Sequence, residues 1–178
     1  DRGLAGGYNN NILHKVEKMI ESDPEAHPLI VTGSKAEDFF DKHQGHIVKA
    51  FKGLPEVIEF NHASQIAEVA MELYERGEVD EVNLVFTRFD STLKYTPLVM
   101  KILPFNRDKC AIGGGTRSVR RFEPSPDEVL DLLIPQYVKV MIYGALIEAS
   151  ASEQASRRSA MEAATENADE MLDELSMS

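Results

Sequence analysis

The chain has 178 residues, 43% of them apolar and 7% aromatic, which suffices for one or two domains with a modest core. No run approaches about 18 uninterrupted apolar residues, the usual minimum for a membrane-spanning helix, and a formal net charge of -11 excludes nonspecific binding to DNA or RNA, which needs clustered Lys and Arg against phosphates. Cys110 is the single cysteine, so no intrachain disulfide can form and a reducing compartment is compatible.

The chain opens on Asp1-Arg2-Gly3, with neither an initiator Met nor a basic and then apolar leader, so it reads as a piece of a longer protein without a signal peptide. Gly3, Gly6 and Gly7 follow, at a spacing that fits neither the dinucleotide fingerprint nor the phosphate loop. They read as structural glycines that permit positive φ and close packing ahead of the first helix. That helix, capped by Asn9 or Asn10, has Leu13, Val16, Met19 and Ile20 on its core face and ends before Ser22-Asp23-Pro24. Residues 29–32 are a short apolar strand. Gly33 follows, and Ser34-Lys35-Ala36-Glu37 has the pattern of a capping box opening a helix to about residue 43. Residues 47–51 are a second strand. Residues 61–76 are a helix with Ile66, Ala67, Ala70, Leu73 and Tyr74 turned inward and Gly77 at its C-terminal end, and residues 82–89 are the strongest strand. Strands alternating with helices predict the α/β class, with a mostly parallel, Rossmann-like sheet flanked by helices.

The pattern then changes. Residues 95–103 form a strand reached by too short a connection for a crossover helix, which predicts antiparallel pairing with the strand before it. The polar run Asn106 to Cys110 and Gly113-Gly114-Gly115, followed by Arg117, Arg120 and Arg121, reads as a surface hairpin, and residues 119–122 as an edge strand. Ser125-Pro126-Asp127-Glu128 is a second capping box with Pro at the first helical position, and Pro135 interrupts or kinks the helix it starts. From Pro135 onward one helix of about 44 residues, roughly 66 Å, runs to the end, longer than a domain of this size needs. The expected division is an α/β domain over residues 1–124 and a protruding C-terminal helix over 125–178.

The seam of that helix is Val138, Ile142, Ala145, Ala149, Ser152, Ser156, Ala160, Ala163, Asn167, Met171 and Leu175. Its small central residues let a second helix approach closely but bury too little to hold a lone helix in water. The seam predicts a partner helix that the chain itself does not supply. From Glu148 onward there are eight acids against Arg157 and Arg158, more than half of the net charge, which reads first as a solvated face.

Little else points to chemistry. His14, His27, His43, His46 and His62 have no HExxH spacing and no cysteine pair beside them, which predicts no metal site. No Ser lies in a Gly-x-Ser-x-Gly elbow, and nothing singles out a general acid, a general base or a cofactor site. By its chemistry alone the chain is not an enzyme.

Two segments carry a family resemblance. Asp1-Arg2-Gly3-Leu4-Ala5-Gly6-Gly7 resembles the DRGLCGG segment of ATP synthase gamma subunits. Residues 142–168, with Ala151-Ser152-Glu153-Gln154-Ala155-Ser156-Arg157 at their centre and Ala160-Met161-Glu162-Ala163-Ala164-Thr165-Glu166-Asn167-Ala168 at their end, resemble that family's C-terminal signature, of the form LASEQAARMVAMKAATDNA. Gly33-Ser34-Lys35, Phe39-Phe40 and Phe122-Glu123-Pro124-Ser125-Pro126 fit the same alignment, so the resemblance covers nearly the whole chain. Ala5 stands where the family commonly has Cys, Arg158 where it usually has an apolar residue, and the paired-cysteine insertion of chloroplast forms is missing.

The resemblance implies a noncatalytic rotor: half of an antiparallel coiled-coil shaft that turns inside a ring of alpha and beta subunits, with an α/β domain at its foot. It further implies contact with the epsilon subunit and the membrane ring of c subunits, a peripheral place on the cytoplasmic face of a bacterial membrane, no span of its own, no cofactor, and coupling of proton-driven rotation to ATP synthesis. Carried over by position, Glu153, Gln154 and Arg157 are implied contacts to the catalytic ring, and Glu123 a contact near the foot. The rival expectation is a small α/β nucleotide-binding domain or enzyme with a dimerising C-terminal helix; a self-associating coiled-coil adaptor is a minor third.

Overall fold

The structure is a computed structural model that describes residues 5–91, 94–105 and 126–176. Its elements are α1 (Tyr8–Ile20), β1 (Leu29–Thr32), α2 (Ser34–Lys42), β2 (Ile47–Phe51), α3 (Phe60–Glu75), β3 (Val82–Ser91), β4 (Lys94–Leu103) and α4 (Pro126–Ser176). The class is mixed α/β with a parallel strand pair and a long C-terminal helix. β1 and β2 pair in parallel, Leu29 opposite Ile47 and Thr32 opposite Phe51, with α2 as the crossover between them. β3 and β4 form a second two-stranded sheet, and the two residues between them allow only an antiparallel hairpin. The predicted segment 119–122, the glycine run 113–115 and Cys110 lie outside the described residues.

Helix starts are where local expectation and structure part. α1 is capped by Gly7 rather than by Asn9 or Asn10, because Tyr8 N–H already donates to Ala5 O (3.1 Å) and Asn11 N–H to Gly7 O (3.0 Å). Burial of Tyr8 draws the first turn upstream. α2 is capped by Gly33 rather than Ser34. Gly33 N–H ends the β-ladder on Phe51 O at 2.8 Å, while its carbonyl accepts the first helical bonds from Ala36 and Glu37. Leaving a strand and entering a helix within one residue needs φ 93°, where only glycine is comfortable. Met19, expected on the core face of α1, is 39% exposed.

α3 is closed at both ends. The Glu59 side chain accepts from the backbone of His62, and His62 Nδ1 accepts from Glu59 N–H at 3.0 Å, a reciprocal box in which His takes the place of the usual Glu or Gln. At its other end Gly77 N–H donates to Tyr74 O and Glu78 N–H to Leu73 O, with Gly77 at φ 69°, a Schellman motif.

Two units pack separately. In the first, comprising residues up to 58, 85–98 and 145 onward, Leu13, Ile20, Val31 and Phe40 form the core between α1, α2 and the parallel pair, with Val16, Leu29, Phe39 and Ile47 packed around them. In the second, residues 59–84 and 99–144, the buried residues are Ala63, Ile66, Ala67 and Ala70 of α3, Ile102 and Leu103 of β4, and Val138 and Ile142 of α4. Phe60 meets Tyr143 edge-on at 5.6 Å, Phe105 meets Tyr137 at 5.1 Å, and Lys139 Nζ lies 3.5 Å from the Glu68 carboxylate.

α4 has 51 residues and continues through Pro135. The expectation that its seam is bare is overturned for the first half: Val138, Ile142, Ala145, Ser152 and Ser156 are buried within this chain. The small residues read as a bed for a second helix are, as far as Ser156, a bed for the chain's own domain. From 161 to 176 every residue is exposed, Met171 at 63% and Leu175 at 72%, so the apolar end of the seam is not buried among the described residues. One window of α4, mean hydropathy 1.3 over 18 residues, is long and apolar enough to cross a membrane by length and composition. In this fold, however, Val138, Ile142 and Ala145 of that helix are packed inside protein and Lys139 is paired.

Candidate functional site

The residues singled out by sequence cluster on three turns of α4 in the first unit. At 3.6 residues per turn, 149, 152 and 156 share one face, 153 and 157 flank it, and 154, 158 and 161 turn away from it.

The inner face is held by hydroxyls. Ser152 Oγ donates to Thr87 O of β3 at 3.3 Å, Ser156 Oγ donates to Ala5 O at 2.8 Å, and the Tyr8 phenol donates to Ala149 O of α4 at 2.9 Å. Ala5 O also accepts the first backbone bond of α1, so Ser156 grips the carbonyl that starts that helix. Tyr8 is buried, and burial pushes its pKa up to about 12, with the Thr87 hydroxyl opposing and the Glu153 carboxylate adding to the rise. Thr87 Oγ1 lies close enough to exert that influence yet makes no hydrogen bond of its own in good geometry.

Gly6 passes beside Ser156 at φ 53°, in the left-handed region, where a Cβ would lie 3.9 Å from Ser156 Oγ. Gly7 has an ordinary φ of -81° and caps α1. Gly3 and Glu123 lie outside the described residues.

On the flank, Arg157 and Glu153 form an i,i+4 pair at 2.5 Å with both side chains about four-fifths covered. Gln154 is exposed, and Arg158 pairs with Glu162 in solvent at 2.8 Å. Glu56, Gln154, Arg157, Arg158 and Met161 help line an open groove of about 710 Å³ along this side of the helix. The structure therefore places Glu153 and Arg157 on one flank of α4, paired with each other, and Gln154 on its outward side. No group of three or more His, Cys, Asp or Glu among the described residues could hold a metal ion.

Sequence reasoning missed the hydroxyl cluster. Ser152 and Ser156 were read for their size, whereas their donors are what is used. Serine rather than alanine at two consecutive seam positions was the available signal, together with a tyrosine just after the glycine pair.

The ATP synthase family model matches residues 1–178. The gamma chain of Heliobacterium modesticaldum is 44% identical over 184 residues, covering 100% of this chain and 63% of that one, and the gamma chain of Moorella thermoacetica is 39% identical over 180 residues, covering 100% and 62%. Among solved structures, the central stalk and c-ring of the Tetrahymena thermophila mitochondrial ATP synthase superposes with a TM-score of 0.73 at 24% identity, over 93% of this chain and 72% of that one. The rotor of the Euglena gracilis mitochondrial ATP synthase gives 0.68 at 19%, over 97% and 66%. These two likenesses concern the fold. The chain spans a little under two thirds of the length of the curated relatives it matches, and across its own full length it belongs to the ATP synthase gamma-chain family.

Proposed function

We propose that this chain is the α/β domain and part of the shaft of a central-stalk gamma subunit, a noncatalytic rotor that couples ion-driven rotation to ATP synthesis in a ring of alpha and beta subunits. In this reading residues 1–124 are the foot domain and 125–178 the shaft helix, one half of an antiparallel coiled coil. The epsilon subunit and the membrane ring of c subunits meet the foot, near Glu123. The assembly sits peripherally on the cytoplasmic face of a bacterial membrane, with protons as the translocated ion. Gln154, with the Glu153–Arg157 pair, presents polar contacts to the catalytic ring. An asymmetric shaft acts by meeting three catalytic sites with different faces and so biasing their open and closed populations.

The observation that carries the reading is the match over residues 1–178, with the bare helical end from 161 to 176 as its physical complement. A helical stretch of about 16 residues with Met171, Leu172 and Leu175 in water is marginal alone, and a mate helix would supply its missing burial.

The test is reconstitution. This sequence, carried in a gamma chain of the relatives' full length, should form a stable complex with purified alpha and beta subunits and support ATP-driven rotation. Gln154→Ala and Arg157→Ala should weaken assembly or slow rotation. A full-length chain that fails to bind the ring refutes the reading. So does a saturable thermal stabilisation of this chain by ATP, ADP or NAD, worth about 3 kcal/mol at a hundredfold excess over Kd, which is the behaviour of a nucleotide-binding domain.

A further inference from the structure

We infer that the mate helix also runs along the outer side of α4 over residues 133–151, so that these turns are covered on two opposite sides in the longer protein. The inference rests on the rotor reading for the existence of a mate, and on α4 alone for the face it occupies.

On a surface helix the side turned away from the core carries charged and polar residues. α4 breaks that rule where it is best packed. Val138, Ile142 and Ala145 are buried, and two residues beyond each, about 200° round the helix, stand Val140, Gly144 and Ile147. Leu133 and Val140 are 55% exposed and Ile147 44%, and a Cβ built on Gly144 would meet nothing within 4 Å. With Ala151 they make an outward stripe without a charged member. A helix that is apolar on opposite sides is the kind that is buried on both.

The spacing says what covers the stripe. Leu133, Val140 and Ile147 repeat every seven residues, and Gly144 and Ala151, also seven apart, alternate with them at steps of four and three. Seven residues fall about 20° short of two full turns, so a stripe with this repeat stays against a partner when two helices wind round each other left-handed. The occupant is therefore a helix, and the small residues let it come close. The 184 matched residues are 63% of the Heliobacterium gamma chain, which leaves about 110 of its residues outside the match. A mate facing residues 133–176 needs roughly 65 Å of helix, or about 44 residues, so one such helix serves both the outer stripe and the bare end. A second copy of this chain is the rival occupant, but a mate in the same chain competes at an effective concentration of about millimolar.

The test places Val140→Glu and Ile147→Glu together in this chain and in a gamma chain of the relatives' full length that carries this sequence. Both positions are exposed here, and Glu is a better helix former than Val or Ile, so the urea midpoint of this chain should move by less than about 0.3 M. In the longer chain the two carboxylates come to lie under the mate, and the midpoint should fall by about 1 M or more. Should that double variant fail to fold, Val140→Ala with Ile147→Ala gives a smaller fall in the same direction, again confined to the longer chain.

Equal shifts in the two chains overturn the inference. So does a fall in the longer chain that disappears on dilution, since a second copy then occupies the stripe. Binding to purified alpha and beta subunits separates this result from the rotor reading. A longer chain that shows the fall but does not bind the ring keeps its mate on the outer stripe and refutes the rotor; one that binds the ring with its midpoint unmoved keeps the rotor and refutes the outer stripe.

Discussion

Enlarging one small seam residue at a time separates the part of α4 covered by its own chain from the part left bare. Ala145 is buried at 6% exposure and Ala163 is exposed, although both belong to one helical stripe. Leucine adds three carbons to either position at almost no change in intrinsic helix propensity. At 145 those carbons enter filled space, and overpacking costs about 1–3 kcal/mol. At 163 they enter water, and the change stays within about 0.5 kcal/mol. With a denaturant slope of about 2 kcal/mol per molar in urea, Ala145→Leu should lower the unfolding midpoint by roughly 0.5–1.5 M, and Ala163→Leu should leave it nearly unmoved. In a chain long enough to include a mate helix, Ala163→Leu should acquire the larger cost, because the same carbons then meet a close-packed neighbour. Circular dichroism at 222 nm against urea reads all of these. Equal costs at 145 and 163 in this chain, or no difference at 163 between the shorter and longer chains, would refute the division of the seam.

The remaining predictions concern single sites in the first unit. Tyr8 titrates at about 12 in the folded protein because it is buried, against about 10 when unfolded, so its contribution is fully present below pH 10 and is lost as pH rises from there to about 12. The loss is about 3 kcal/mol, and Tyr8→Phe should flatten the alkaline limb of a stability-versus-pH curve; an unaltered limb contradicts the burial argument. At Gly45 a Cβ would stand 2.9 Å from Phe40 Cβ and 3.2 Å from Leu29 Cδ1, both backed by core, so Gly45→Ala should cost about 1–3 kcal/mol. Gly53 has open space around it and pays only for φ 65°, so Gly53→Ala should cost less, about 1 kcal/mol; urea titration giving the reverse order would show that backbone strain, not packing, governs these loops.

Much of the fold is legible in the sequence, because its strands and helices follow apolar periodicity. The strands over 29–32 and 47–51 fall where their apolar runs lie, and Gly77 ends α3 as its position suggests. Helix starts are less legible because several residues can cap and tertiary demands choose among them. The burial of Tyr8 selects Gly7 over Asn9, the ladder bond of Gly33 takes the cap from Ser34, and a histidine completes the box at Glu59 that a search for Glu or Gln passes over. The site shows the same division. Glu153, Gln154 and Arg157 are singled out by the family resemblance alone, and the carbonyls that Ser152 and Ser156 reach are separated from them by 65 and 151 residues in sequence, so no local pattern encodes those pairings.

The seam misleads for a related reason. Small residues at helical spacing specify close approach without specifying what approaches. As far as Ser156 the neighbour is the chain's own domain, with β3 and the start of α1 supplying the carbonyls; from 161 to 176 the stripe continues exposed. A helix anchored over one part and bare over another unfolds from the bare end, since short unsupported helical segments open at little cost while the anchored turns open only with their unit. Amide hydrogen exchange of this chain should therefore show protection along α4 through Ser156, then a steep decline across residues 161–176. In a longer chain with a mate helix, the decline should move toward the C-terminus or vanish. Uniform protection along α4 in this chain would mean that the terminal turns already have a partner, such as a second copy, and dilution would then restore the decline. Uniform protection that survives dilution refutes the bare-end account, and with it the physical reason for expecting a mate helix.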